Sequence, residues 1–242
     1  MKFKLTLDAT LSANPIHYQD KIMLLGSCFT ENIGAKLQRH LFEVKENPHG
    51  ILFNPVSVIN ALQDYIDNKQ YVENDLFELN DLYHSWHHHS RFSDITAEAA
   101  LNKINTSIND AHAYLKVADK LIITLGSAWL YCLTEVAPNN AGLVVANNHK
   151  APAQWFTKKL MDPIELSLQL QQIVTSIQSI NSKIKIIFTI SPVRHLREGF
   201  IENNRSKAIL IFAVHDIITK LNNVEYFPAY EYVMDDLRDY RF

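Results

Sequence analysis

The sequence predicts an α/β protein of three layers, with helices on both faces of a mostly parallel central sheet. Two observations carry this. Uninterrupted aliphatic runs recur along the chain: Ile22-Met23-Leu24-Leu25, Leu121-Ile122-Ile123-Thr124-Leu125, and Ile184 to Ile190. A strand covered on both faces reads as such a run, whereas a half-exposed strand alternates. Between and after the runs, apolar residues recur at three- and four-residue spacing, the period of a helix lying on a core. Strands that alternate with helices imply parallel pairing through right-handed crossovers.

The elements follow in order. The first run stops at Gly26-Ser27-Cys28, and Glu31 to Leu41 reads as a helix with Ile33 and Leu37 on one face. Leu41 to Lys45 is a weaker strand candidate. Asn54-Pro55 opens a shorter helix through Ile66, and residues 71–95 read as an insertion. Leu101, Ile104, Ile108, Ala111 and Leu115 mark a further helix before the second run, which stops at Gly126-Ser127. The Asn-rich stretch 138–152 is a second insertion, either a hairpin or a loop on the rim of a site. Asp162-Pro163-Ile164-Glu165 is a helix start, with Asp as N-cap, Pro at N1 and Glu at N3. Leu166, Leu170, Ile173, Val174 and Ile177 supply that helix's apolar face. The third run stops at Ser191-Pro192, residues 203–222 form a long helix, and Val224 to Phe227 is a last, weak strand. The predicted strand order is 2-1-3-4-5, that of a flavodoxin-like sheet. No repeat, linker or composition shift divides the chain, so residues 1–242 read as a single domain.

Of 242 residues, 47% are hydrophobic and 20% charged, the balance of a globular chain with a sizeable core. The net charge of −3 gives no basic field for nucleic acid or an anionic membrane. Two cysteines, Cys28 and Cys132, cannot build a disulfide framework, and two reduced thiols fit a reducing compartment. The N-terminal residues lack the apolar run of a signal peptide, and no window reaches the roughly 18 apolar residues of a membrane span. The expectation is a cytoplasmic protein.

Ligands of open α/β sheets bind beyond the carboxyl ends of the strands. The residues to read are therefore Gly26 to Thr30, Gly126 to Trp129 and Ser191 to His195. Gly26-Ser27-Cys28-Phe29-Thr30 joins a strand to a helix whose N-terminal N–H groups suit an oxyanion, and a hydroxyl or thiol there can attack a carbonyl. A tight turn of small residues with a buried Cys is the structural alternative. The Gly-x-Gly-x-x-Gly and Gly-Lys-Ser/Thr fingerprints are absent, so no nucleotide cofactor is implied. His195 stands on the predicted active edge as a base, an anion binder or a structural histidine. Beside it, Arg194, with Arg197 and Arg205, offers bidentate forks for a carboxylate or sulfate. Trp129 offers an indole N–H or packing surface.

His84-Ser85-Trp86-His87-His88-His89 is the densest ionisable cluster. His84 and His88 would share a helical face as a metal pair, but no third ligand stands at motif spacing, so no metal is assigned. The rim of a site and a solvated loop are the other readings. Glu231, Asp235, Asp236 and Asp239, with Arg238 and Arg241, read as a solvated helix face.

Leu25-Gly26-Ser27-Cys28-Phe29-Thr30 resembles the defining motif of the GSCFA family, which is related to the SGNH (GDSL-like) hydrolases. Asn47-Pro48-His49-Gly50-Ile51-Leu52-Phe53-Asn54-Pro55, His89-Ser90-Arg91-Phe92-Ser93, Leu125-Gly126-Ser127-Ala128-Trp129 and Ser191-Pro192-Val193-Arg194-His195 resemble it in order. So do Asn203 through Ser206-Lys207-Ala208 and Asp235 to Tyr240. The resemblance implies an SGNH-like, flavodoxin-like fold and a serine-esterase type of chemistry. It places a nucleophile after the first strand, Cys28 by ungapped alignment or Ser27 by a one-residue shift. Gly50 resembles the second-block oxyanion glycine, Gly126 opens the third block, and His89 falls on the rim. Ala128 stands where those esterases carry an oxyanion asparagine. The chain also ends about where relatives continue toward an Asp-x-x-His-like segment, so the base is a histidine beyond residue 242 or else His195. The implied partner is a small-molecule or carbohydrate ester, with no metal or organic cofactor, no nucleic acid and no membrane. The alternative is a non-catalytic ligand- or glycan-binding member of the same fold.

Overall fold

The computed structural model describes residue 12, residues 14–138 and residues 141–237. In chain order the elements are β1 (Lys21–Gly26), α1 (Cys28–Arg39), β2 (Glu43–Glu46), α2 (Pro55–Asp67), β3 (Phe77–Leu79), β4 (Leu82–His84), α3 (Ala97–Leu115) and β5 (Lys120–Leu125). They continue as β6 (Trp129–Leu133), β7 (Phe156–Leu160), α4 (Pro163–Ile180), β8 (Lys185–Ile190), α5 (Gly199–Ile218), β9 (Val224–Phe227) and the single turn α6 (Ala229–Glu231). Residues Tyr232–Asp236 then wind as a π-helix. The main sheet runs β2-β1-β5-β8-β9, with every neighbouring pair parallel. Renumbered within that sheet, this is the expected 2-1-3-4-5 order. Both weak strand candidates form its edges, where one flank has no partner strand and the aliphatic signal fades.

Register explains the layers. Met23, Leu121 and Ile186 lie level across three strands, as do Leu25, Ile123 and Phe188. These six side chains are wholly buried against Leu62 of α2, Ile108 of α3, Leu170 of α4 and Leu210 of α5. Burying one side chain of this size is worth about 1.5–3 kcal/mol, so this face supplies much of the folding energy. The opposite face carries Ile22 and Leu24. Glu46, level with Leu24 in the register, packs on Gly34 of α1, which puts α1 on that second face. The result is the three-layer sandwich.

Helices α4 and α2 start at their sequence signals, and α1 and α5 start earlier than expected. Asp162 Oδ1 accepts from the N–H groups of Ile164 and Glu165 behind Pro163, and Asn54 Oδ1 accepts from Ser57 behind Pro55. Such caps contribute roughly 1 kcal/mol each. Ser27 caps α1 by position, but its side chain makes no capping bond. Helix α1 begins at Cys28 rather than Glu31, and α5 begins at Gly199, before the expected residue 203.

The insertions have structure of their own. Residues 71–95 contain the β3–β4 hairpin, tied to Asp94 through an antiparallel bridge from Tyr83. Sequence periodicity did not separate β6 and β7, which form an antiparallel hairpin enclosing the second insertion. Within that insertion Val144 bridges to Cys132 and Val145 donates to the Tyr131 carbonyl, so the stretch lies along β6 and borders the site. Asn139 and Asn140 fall outside the described residues, as do Arg238, Asp239 and Arg241 of the acidic run. Among the described residues no helix is long and apolar enough to cross a membrane.

Candidate functional site

At the tip of β1 the backbone itself demands glycine. Gly26 has φ 136°, and a Cβ there would run into the carbonyl oxygen of Thr124 on the neighbouring strand. Ser27 follows, its side chain buried and its Oγ without a partner. Cys28 is the first residue of α1 and is only half-buried; its thiol and that of Cys132 are free. The N–H groups of Cys28 and Phe29 lie ahead of any carbonyl that their own helix could offer them.

One loop, residues 47–54, stitches the ends of β1 and β5 together. The Asn47 N–H donates to Leu24 O at 2.8 Å, and its Oδ1 accepts from the Gly26 N–H at 2.9 Å. Its Nδ2 is buried without a partner. Leu52 donates to Gly26 O, while Gly126 and Ser127 both donate to Phe53 O at 3.0 and 2.9 Å. Gly50, at φ 80°, donates to Asn47 O at 2.7 Å, and its bare Cα is covered by the His89 side chain. The N–H groups of Gly50 and Gly126 are thus spent on main-chain carbonyls. Sequence comparison pointed to these two glycines and passed over Asn47, whose amide sits on the β1 tip itself.

His89 joins this region from the histidine-rich segment. Its Nδ1 accepts from the Arg91 N–H at 3.2 Å, so the neutral ring carries its proton on Nε2. Burial, then the Arg91 charge, holds its pKa below the ordinary histidine value. Arg91 is in turn ion-paired with Glu31 in the first turn of α1. Behind His89 lies a closed network. His49 Nε2 donates to Asp64 at 3.1 Å and Nδ1 accepts from the Tyr65 hydroxyl at 2.8 Å, while Tyr71 also donates to Asp64. The His49 ring stacks on His88 at 4.1 Å. Burial keeps His49 and His88 neutral.

His84 and His88, which a helix would have placed on one face, do not share a helix. His84 ends β4 and bonds Ser93 and Leu79 O, whereas His88 lies beyond the strand and bonds Ser85. Among the described residues no three His, Cys, Asp or Glu side chains converge as metal ligands.

The tips of β5 and β8 are held from α5. Asn203, Ser206 and Lys207 share one face at i, i+3 and i+4, each about 2% exposed. Lys207 Nζ donates to Gly126 O and Ser191 O, both at 2.7 Å, and burial brings its pKa down to about 7. Ser206 Oγ accepts from the Ala128 N–H at 2.7 Å and meets Ser127 Oγ at 3.2 Å. Asn203 Oδ1 accepts from the His195 N–H at 3.0 Å. Three polar residues on a helix face that continues as Leu210, Ala213 and Val214 were the sequence signal for this clamp.

His195 presents its ring edge to Phe53, with centroids 5.4 Å apart, and its Nε2 is buried without a partner. Burial and then the Lys207 charge lower its pKa. It stands beyond β8, two strands from β1, and no hydrogen bond joins it to Ser27 or Cys28. The Trp129 indole N–H donates to Glu202 O at 3.4 Å, and the Arg194 guanidinium lies 5.7 Å over the Phe200 ring. Arg205 pairs with Glu202. A cavity of about 300 Å³ opens here, bordered by Phe53, Trp129, Tyr131, Asn148, His195 and Arg197.

These features define an α/β protein with a strand–turn–helix motif, Gly26-Ser27-Cys28, at the edge where such sheets bind ligands. A model of the GSCFA family matches residues 21–242, and the chain belongs to that family. Among solved structures it is similar to an acetyl xylan esterase, Est2A, from the rumen bacterium Butyrivibrio proteoclasticus. The identity is 11% and the TM-score 0.41, over 89% of this chain and 56% of that one. The chain thus spans little more than half the length of that enzyme. No curated protein matches the sequence.

Proposed function

We propose that the protein is an ester hydrolase of the SGNH-like type, acting on a small acylated substrate, with Cys28 as nucleophile. One observation carries the choice over Ser27: the Ser27 side chain is sealed in the interior, whereas Cys28 is half-buried at the N-terminus of α1. A thiol is also the nucleophile least dependent on an adjacent base. In the reaction, Cys28 sulfur bonds to the acyl carbon, the C–O bond to the alcohol breaks, and the alcohol leaves with a proton. Water then cleaves the thioester and releases the acid. The N–H groups of Cys28 and Phe29 face the developing oxyanion from the helix end, the Asn47 amide fixes the β1 tip through the Gly26 N–H, and His89 offers Nε2–H at the rim.

The test is hydrolysis of p-nitrophenyl acetate by the wild type, Cys28→Ala and Ser27→Ala. Turnover falls about a thousandfold or more in Cys28→Ala and stays within a few-fold in Ser27→Ala. The reverse pattern assigns Ser27, and turnover that survives both changes rejects the whole site.

A second reading, a non-catalytic binding member of the fold, draws on the spent N–H groups of Gly50 and Gly126 and on Ala128 in place of asparagine. It predicts saturable ligand binding with no release of p-nitrophenol above the rate in buffer.

A further inference from the structure

The histidine-rich insertion meets the helix that carries Cys28 through Arg91. The guanidinium of Arg91 pairs with Glu31 in the first turn of α1, three residues after Cys28 and so on the same flank of that helix. The main-chain N–H of Arg91 donates to His89 Nδ1 at 3.2 Å. Both His89 and the Arg91 side chain lie so close over Gly50 that a Cβ there would meet them. At the other side of the turn, the His89 N–H donates to His49 O at 2.9 Å. The turn is thus fixed by main chain where it begins and by an ion pair where it touches α1.

A second carboxyl stands in the same group. Glu46, at the end of β2, packs on Gly34 of α1, three residues beyond Glu31. Burial, then the Glu31 charge, holds the Glu46 carboxyl above its ordinary range, and the Arg91 charge opposes that rise. One guanidinium therefore offsets two carboxylates. The Arg91 and Glu31 side chains are 41% and 30% exposed, and a pair so open to water adds little to folding stability. Its placement is specific all the same. It joins the turn that carries His89 to the helix that carries Cys28, and His89 Nε2–H has no partner among the described residues. A donor aids an oxyanion only when it is held to within about 0.5 Å of its place.

We propose that Arg91 and Glu31 are positioning residues, whose ion pair holds the 89–91 turn against α1 and so keeps His89 Nε2–H in place for the acyl oxygen of a substrate on Cys28. The acyl oxygen rests on the ester-hydrolase reading above. The hold on His89 rests on the contacts alone.

Hydrolysis of p-nitrophenyl acetate and nitrogen-15 NMR of the imidazole rings, both on the full chain, test it together. Arg91→Ala and Glu31→Gln each lower kcat about tenfold or more and leave KM within about twofold. The melting temperature moves by no more than about 3 °C in either. Arg91→Lys, which keeps the charge, recovers most of the loss. Lys103→Ala breaks a comparably exposed pair, Lys103–Asp94, that ties the same insertion to α3, and it leaves kcat unchanged. At about pH 8, where the ring is neutral, His89 is a single Nε2–H tautomer in the wild type and a mixture in Arg91→Ala. Unchanged kcat in both Arg91→Ala and Glu31→Gln overturns the proposal. So does a loss in Arg91→Lys as deep as in Arg91→Ala, or an equal loss in Lys103→Ala, which would mean general loosening of the insertion. A wild type without turnover rejects the ester-hydrolase reading instead, and the NMR then decides the hold on His89. A single unchanged tautomer in Arg91→Ala overturns that hold in either case. If Arg91→Ala melts much lower than the wild type, Glu31→Gln takes its place in each comparison.

Discussion

The β1 tip and the paired tips of β5 and β8 lie side by side on one edge of the sheet, yet they treat buried polar groups in opposite ways. Around β1, Ser27 Oγ, Thr30 Oγ1, Asn47 Nδ2 and Glu46 Oε2 are all buried without partners. Around β5 and β8, the Lys207 ammonium, the Ser206 and Ser127 hydroxyls and the Asn203 carbonyl all have partners. An unpaired buried polar group costs about 1–3 kcal/mol, so a cluster of them persists only where something else compensates. The β1 tip thus holds several polar atoms that the surrounding chain does not satisfy. The β5–β8 side has the profile of a scaffold that holds its loops still, although His195 Nε2 is buried there without a partner.

The comparison breaks most visibly at Lys207. Lys207→Met leaves two buried carbonyls without their donor and lowers unfolding stability by about 2–4 kcal/mol, measured by urea denaturation. The pH dependence goes with it. The folded-state pKa of about 7 lies below that of an unfolded lysine, so the unfolded chain holds the extra proton across the interval between them. Lysine therefore makes stability rise as pH climbs from about 7 toward 10, and the methionine variant lacks that increment. Equal slopes in the two proteins would mean that Lys207 is no clamp.

Acid tests the network behind the β1 tip. His49, His88 and His149 are buried neutral, with folded pKa values below 6.5 and that of His149 near 4. Their contribution is intact above pH 6.5 and is lost as pH falls through the window down to about 4. Between about 6.5 and 4 His149 alone costs about 1.4 kcal/mol per pH unit, and His49 and His88 act in the same direction. The melting temperature should drop steadily from pH 6.5 to 4, and a flat profile would show that these rings are not buried neutral.

Asn47→Asp sharpens the difference in roles. Aspartate tolerates the positive φ of 42° and keeps an acceptor for the Gly26 N–H, but it loses the Nδ2 donor. If the amide serves the oxyanion, kcat falls about 100-fold when assayed well below the melting temperature, which the buried carboxylate also lowers. An unchanged kcat would make Asn47 a fastener of the loop and nothing more. The smallest effect belongs to the exposed Glu202–Arg205 pair, where Arg205→Ala should change stability by less than about 0.5 kcal/mol.

Much of the sheet was legible because burial on both faces writes itself as an aliphatic run, and Asp162-Pro163 announced α4 to the residue. The β6–β7 hairpin was not, since Trp129-Leu130-Tyr131-Cys132-Leu133 alternates too briefly to be told from a loop. Glu31 looked like the start of α1 because the apolar period shows only from Ile33 and Leu37, while Gly26-Ser27-Cys28 reads as a turn of small residues. Within the site, sequence singled out Ser27, Cys28, Gly50, Gly126 and His195 as residue types. It quoted Asn47 and Lys207 only inside family-like segments and gave them no role: a lone asparagine in a loop carries no local mark of burial, and the mark on Lys207, a polar face that continues as Leu210, Ala213 and Val214, went unread.

By itself, then, the sequence determined the layers, the strand order and the edge of the sheet where chemistry belongs, because those follow from periodicity and from the handedness of crossovers. Tertiary structure alone decided how each polar group is spent. Ser27 is sealed while Cys28 is half-open, Gly50 and Gly126 give their N–H groups to carbonyls of residues 47 and 53, and Lys207 ties two strand ends from 81 and 16 residues away. Burial and hydrogen-bond partnership depend on what folds against a residue from far along the chain, and no local pattern records that.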